Sequence, residues 1–398
     1  MIASARQLFN QQFSEEKYHA FVYDLDQQYK YKIPFRVAES PVFVGKDFSD
    51  KLFKASDEII DFIVRPDFKS LMSGAIPPQV FVPHDDDHTL FLALDFAVCT
   101  EAGSHELVPR LIEMQGFPSL FGYQDFLGNK FKEHYHIPEQ LDCHFGQSSD
   151  QYWAKLKRAI VGKHHPDHVI LLEIDPMKQN TAIDFLVTKH HLGIEPVHLG
   201  DLIQRNRKLF YLKNGVETPV HRIYNRVIFD ELLGKPDLKT DFHLTEDVDV
   251  EWAGHPNWFY YISKYTMPFL HSDAVPECKF LSDYTTFPAD LENYVLKPLF
   301  SFSGSGVLFH VTEHDVLSIP FHDRKNYLLQ RKVHYEPVIQ APDGLVKTEI
   351  RLLFLWEQGA ARPQLITNLA RLSRGEMIGV KFNKDKTWVG GSVCFFEK

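Results

Sequence analysis

Cysteine is scarce and scattered in this 398-residue chain: Cys99, Cys143, Cys278 and Cys394 form no Cys-x-x-Cys pair. That spacing suggests reduced thiols in a cytoplasmic setting rather than a disulfide framework. Long apolar runs are missing too. The nearest, "TLFLALDFAVC" at 89–99, is broken by Asp95, and a membrane span needs roughly 18 apolar residues. The first residues, MIASARQLFNQQFSEEK, lack the apolar core of a signal peptide. There is no excess of positive charge: Lys+Arg number 43 against 53 Asp+Glu, a net charge of −10. This argues against a nucleic-acid partner. A nucleotide remains open, because it needs only a local basic pocket. What the chain has is hydrophobic mass, 44% of residues with 33 Phe, enough for two or three domains.

No internal repeat or low-complexity tract breaks the chain. Apolar residues at helical spacing predict a helix over 50–72. Residues 89–99 read as a buried strand, with 107–114 as its neighbour after the link "TEAGSHE". A helix follows at 150–162, and "GKHHPDH" reads as a linker. The style then changes. "HVILLEID" is a continuous apolar strand of the parallel-sheet kind. "NTAIDFLVTKHHLG" is a helix with Asn180 or Thr181 as cap and Gly193 as stop. "IEPVHLG" is a second strand, and a hairpin turns at Asn214-Gly215. This predicts a small βαβ domain at 163–250, between an N-terminal part (1–162) and a C-terminal lobe (251–398). Residues 255–270 read as helix, and the chain from about 290 as strand-rich.

Three groups of residues suggest chemistry. In "NYVLKPLFSFSGSGVLF" a strand ends at Lys297-Pro298 before a small-residue turn containing Ser303, Gly304, Ser305 and Gly306. Successive N–H groups in such a turn form an anion nest, and a lysine beside it is a point charge suited to phosphate. An ordinary glycine-rich hairpin is the plain alternative. No Gly-Lys-Ser/Thr follows, so this is not a Walker-type loop. It leads into a strand-like run, which disfavours a dinucleotide fingerprint. Second, Asp95 interrupts a buried strand, and Glu113 and Gln115 are two apart, hence on one strand face. If the strands are adjacent, two carboxylates and an amide oxygen converge, a donor set suited to Mg²⁺. The alternative is a carboxylate capped by backbone N–H groups or an arginine. Third, Lys264, Arg351 and Arg371 lie among apolar residues, either as solvated charges or as a polyphosphate clamp. "HDDDH" (84–88) and "HYH" (134–136) have no zinc spacing and read as a solvated acidic loop and a surface helix or turn.

Taken in order over roughly 300 residues, these motifs resemble the circularly permuted ATP-grasp family, which includes the synthetase domain of glutathionylspermidine synthetase. "LALDF" supplies the family's aspartate as Asp95, and "LIEMQGFPSLF" its Glu-x-Asn as Glu113 and Gln115. Gln replaces Asn, and Ala93 stands where the family often has an arginine. The resemblance implies that Lys264 in "SKYTMPFL" and Lys297 contact ATP, with the 303–306 turn over the phosphates. It further implies that Gln330 in "YLLQRKV" meets adenine, and that Arg371 in "ITNLARLSRG" steadies the transferring phosphoryl group, although the family's glycine pair is missing. The implied fold is α/β, a permuted ATP-grasp with an inserted pre-ATP-grasp-like domain. The implied activity is ADP-forming ligation of a small-molecule carboxylate to an amine, with ATP and Mg²⁺ as cofactors. Arg226 in "YNRV" is a candidate for the substrate carboxylate or, equally, a strand-end ion pair. A pseudoenzyme or scaffold that only binds nucleotide is the alternative function. Neither nucleic acid nor membrane is an expected partner, and a homo-oligomer is compatible with the sequence.

Overall fold

The computed structural model describes residues 1–300, 306–376, 378 and 382–398. Its central antiparallel sheet draws on both ends of the chain. The strands run in the order Gly390–Ser392, Gln364–Ser373, Gly344–Leu355, Phe91–Thr100 and Leu107–Gln115, with Ile339–Ala341 hairpinned onto Gly344–Leu355. Phe91–Thr100 is central and buried on both faces, which is why its sequence is almost unbroken apolar. The chain ends are tied together as well: Val42–Val44 pairs in parallel with Cys394–Glu397.

The 50–72 periodicity forms two elements, a helix at Lys46–Ile63 and a short turn of helix at Phe68–Leu71. Pro66 sits between them, and a proline disfavours helical geometry in the residue before it. The long helix buries Phe48, Leu52, Ile59, Ile60 and Ile63.

A second sheet is wholly parallel, in the order Glu251–Ala253, Arg222–Asn225, Val169–Glu173, Glu195–His198. Helix Ala182–Leu192 makes the crossover and stops at Gly193, whose φ of +73° is left-handed. The hairpin turns at Asn214 and Gly215 with both φ values positive, as a two-residue turn of this type requires. It joins Ile203–Arg205 in a small sheet of its own. Alternate residues of Val169–Glu173 enter different cores: Val169 and Leu171 the main one, Ile170 and Leu172 a second. A third sheet, Cys278–Phe280, Tyr327–Arg331 and Tyr294–Pro298, is antiparallel around a small core of its own.

The helix expected over 255–270 does not form as one piece. Trp258–Tyr261 is a single helical turn and Lys264–Phe269 a 3₁₀ helix. Ser263 intervenes in extended geometry and caps the second piece through Tyr265 N, and Pro268 has no N–H to continue an α-helix. Among the described residues no helix is long and apolar enough to cross a membrane.

Behind the Gln364–Ser373 strand lies a buried charge pair. His144 Nε2 meets Asp125 Oδ1 at 2.9 Å, and Asp125 Oδ2 also accepts Trp153 Nε1 and Ser149 Oγ. Burial works against the imidazolium, but Cys143 and Asp125 outweigh it and raise the pKa to about 10. The raised folded-state value means that the pair stabilises fully below the unfolded histidine's pKa, and that this contribution is lost as pH rises through about 10. His144→Gln should therefore cost on the order of 3 kcal/mol near pH 6, with the gap to the wild type narrowing towards pH 10. Urea titrations across that range measure it; a constant gap contradicts the charged pair.

Candidate functional site

Register builds the site. In the central sheet Asp95 lies opposite Glu113 on one side and Arg351 on the other. Gln115 lies opposite Ala93, and Glu349 opposite Arg371. Directly paired residues share a sheet face, as do residues two apart. One face therefore carries Asp95, Glu113, Gln115, Glu349, Arg351 and Arg371.

Asp95 is 1% exposed, and a carboxylate so buried requires partners. Arg351 supplies a two-pronged one, Nε to Oδ1 and Nη2 to Oδ2, both at 2.6 Å. Arg371 Nη2 adds a third contact to Oδ2 at 2.9 Å. The same Nη2 is hydrogen-bonded to Glu349 Oε1, and Glu349 Oε2 accepts Tyr335 Oη at 2.7 Å. Burial, with Asp95 nearby, pushes the Glu349 carboxyl above its usual range against the pull of Arg371. Burial opposes the Arg371 charge, but Glu349, Asp95, Tyr335 and Glu113 raise its pKa further.

Two lysines approach this face: Lys297 from the strand Tyr294–Pro298 of the third sheet, and Lys264 from the start of the 3₁₀ helix Lys264–Phe269. Lys297 Nζ donates to Ile112 O at 3.2 Å, and Lys264 Nζ to Pro298 O at 3.2 Å. Burial lowers both pKa values, and Glu113 is the largest influence opposing it in each case. Gln330 lies opposite both Cys278 and Val295, on the face that carries Lys297 two residues beyond Val295. It is 2% exposed, and its Oε1 has no hydrogen-bond partner. Gly306 is exposed at φ +72°, and an added Cβ there would approach Pro298 Cγ to 3.1 Å. Ser303, Gly304 and Ser305 fall outside the described residues.

Two expectations need correction. Arg226 is not free for a substrate: its Nη1 pairs with Asp184 Oδ2 at 2.6 Å and donates to Ser119 O at 3.1 Å, with both side chains buried. It is the strand-end ion pair. Asp95 is not an open metal donor, because arginines occupy both of its oxygens. Among the described residues no group of three or more His, Cys, Asp or Glu is arranged to hold a metal. Glu113 and Gln115 do fit Mg²⁺ chemistry: they are oxygen donors on one face, and Mg²⁺ commonly takes one or two carboxylates with waters and phosphates.

Glu349 and Tyr335 were not singled out from the sequence. The signal for Glu349 was its alternation with Arg351 in "TEIRLLFLW", two charges on one face of an apolar strand; nothing local marks Tyr335. The histidine-rich stretches lie elsewhere. His84, His88 and His164 line a cleft of about 1220 Å³ shared by none of the residues above, and His84 and His164 pair there with Asp247 and Glu251.

No family model matches the sequence, and no curated protein matches it. The fold does have a solved counterpart. A glutathione synthetase-like effector from Globodera pallida, in its apo form, superposes with a TM-score of 0.57 at 11% identity, covering 100% of this chain and 99% of the other. The chain thus has a mixed α/β, glutathione synthetase-like fold.

If Arg226 is structural, Arg226→Met should destabilise the protein by roughly 3–5 kcal/mol by stranding Asp184. The double variant Arg226→Met/Asp184→Leu should recover most of that loss in denaturant melts. A stable single variant points back to a substrate role.

Proposed function

We propose that the chain is an ATP-dependent, ADP-forming carboxylate–amine ligase built on a circularly permuted ATP-grasp with an inserted pre-ATP-grasp-like unit. One observation carries this reading: Lys297 from the third sheet and Lys264 from the 3₁₀ helix Lys264–Phe269 face a sheet surface that holds Arg371 among Asp95, Glu113 and Glu349. Opposed cations and carboxylates across a cleft suit phosphoryl transfer, where catalysis is mostly positioning and charge stabilisation. The fold's likeness to a glutathione synthetase-like protein supports the ligase class. A central sheet assembled from residues 91–115 and 344–392 supports the permuted order.

In this reading Lys264 and Lys297 neutralise the ATP phosphates, and the unpartnered Oε1 of Gln330 accepts from the adenine amine. A substrate carboxylate oxygen attacks the γ-phosphorus and ADP leaves, giving an acylphosphate. The amine nitrogen then attacks the acyl carbon, phosphate leaves, and an amide results. Arg371 stabilises the charge on the transferring group. Glu113 and Gln115 would hold magnesium, which supplies charge neutralisation. Four buried thiols, none in a disulfide, suit a reducing, cytoplasmic setting, and the partners are small-molecule carboxylate and amine.

A second reading is a nucleotide-binding pseudoenzyme or scaffold. The full engagement of Asp95 by two arginines favours it, and the structural neighbour is described as an effector.

ATP with Mg²⁺ should raise Tm by mass action, by roughly 2.7 kcal/mol of stability at about 100 times Kd, and Lys297→Ala should abolish the shift. Arg371→Ala should leave ATP affinity within about threefold while cutting substrate-stimulated ADP release by roughly 10²-fold, the scale seen when one charge-stabilising donor is removed. Calorimetry and an ADP-release screen over carboxylate and amine pairs decide between the readings. The absence of stimulated release with intact ATP binding favours the pseudoenzyme.

A further inference from the structure

Arg371 is the exposed member of its network, with 38% of its side chain accessible. Its Nη2 is shared between Asp95 and Glu349, and its Nε has no hydrogen-bond partner. Among the described residues its side-chain hydrogen bonds are therefore to those two carboxylates alone. Each carboxylate is held in turn from its far side. Tyr335 fixes Glu349. Asp95 is gripped by the planar fork of Arg351, whose remaining nitrogen, Nη1, donates to Ser119 Oγ at 3.0 Å. All three nitrogens of Arg351 are thus engaged within the protein, and its Nε/Nη2 edge is taken entirely by Asp95.

Ser119 is itself anchored. It follows Gly116, which packs so closely that an added Cβ would lie 2.5 Å from Trp258 O, and Gly116 N donates to Ile262 O at 2.9 Å. The Ser119 carbonyl accepts from Arg226, which is locked to Asp184. The line from Ser119 through Arg351 and Asp95 to Arg371 is continuous, and only its last member is open to solvent to any large extent. A fork-to-carboxylate contact fixes direction as well as distance, which a lysine cannot do.

We propose that Arg351 and Ser119 are positioning residues: they clamp Asp95 so that it presents the Arg371 guanidinium to the cleft. In this arrangement Asp95 acts as a bracket between two arginines. The inference rests on the ligase reading for its kinetic consequence, but its structural consequence stands apart from that reading.

The test uses Arg351→Lys in the full chain, which keeps the charge and removes the fork. Its crystal structure should show Arg371 Nη2 withdrawn from Asp95, and ATP affinity by calorimetry should stay within about threefold while kcat for ADP release falls roughly tenfold or more, as small misplacements do. Arg351→Lys/Arg371→Ala should be no slower than Arg371→Ala, because residues acting through one another are not additive. Multiplying losses in the double variant, or an Arg371 unmoved on Asp95 in the Arg351→Lys structure, overturns the proposal. If the wild type releases no ADP with any substrate pair, the ligase reading fails and the crystal structure alone decides the positioning. If Arg351→Lys does not fold, Ser119→Ala removes one hydrogen bond, leaves the ion pair, and is judged by the same displacement of Arg371.

Discussion

Much of this structure follows from one desolvated carboxylate. Asp95 sits in the most buried strand of the central sheet, where an ionised group is tolerated only with opposite charge and hydrogen bonds around it. Meeting that need takes arginines from two other strands, 256 and 276 residues further along the chain. One register, between Gly344–Leu355 and Phe91–Thr100, brings Arg351 opposite Asp95, and a second, between Gly344–Leu355 and Gln364–Ser373, brings Glu349 opposite Arg371. A slip of one residue would turn all of these charges onto the other face. The same pairings thus specify the fold and assemble the charged surface of the candidate site.

The sequence made part of this legible. Period two along "LIEMQ" placed Glu113 and Gln115 on one face, and the interrupted apolar run marked Asp95 as a buried charge in need of partners. The change to continuous apolar strands near 169 announced the parallel sheet, and Asn214-Gly215 its neighbouring hairpin. What could not be read was which distant strands lie side by side, because no local pattern encodes pairings across more than 250 residues. Hence the choice between metal and arginine for Asp95, and between substrate and ion pair for Arg226, stayed open until the strands were placed, and Glu349 and Tyr335 went unnoticed. The broken helix at 255–270 is a different kind of miss: its apolar content was right, and Ser263 and Pro268 overrode the periodicity.

The likeness to a glutathione synthetase-like protein at 11% identity illustrates what such a fold conserves. Shape at that distance is kept by alternation, turns and core volume, which many sequences satisfy. Chemistry depends on a few side chains that the shape only brings within reach. Here the charges on the sheet face and on the lysines near it are largely matched within the protein, so a ligand binding there has to exchange partners with them as well as fill space.

The pairing of Phe91–Thr100 with Gly344–Leu355 has a consequence for biosynthesis. At roughly 5–20 residues per second on the ribosome, the partners of Asp95, 256 and 276 residues further along, are made tens of seconds after it. Until then the nascent chain exposes an apolar hairpin with a charge at its centre and unpaired edges on both sides, a form prone to pairing with other chains. The central sheet can therefore close over that hairpin only once Gly344–Leu355 and Gln364–Ser373 have been made, and the yield of folded protein in a cell depends on how well the hairpin is shielded in the interval.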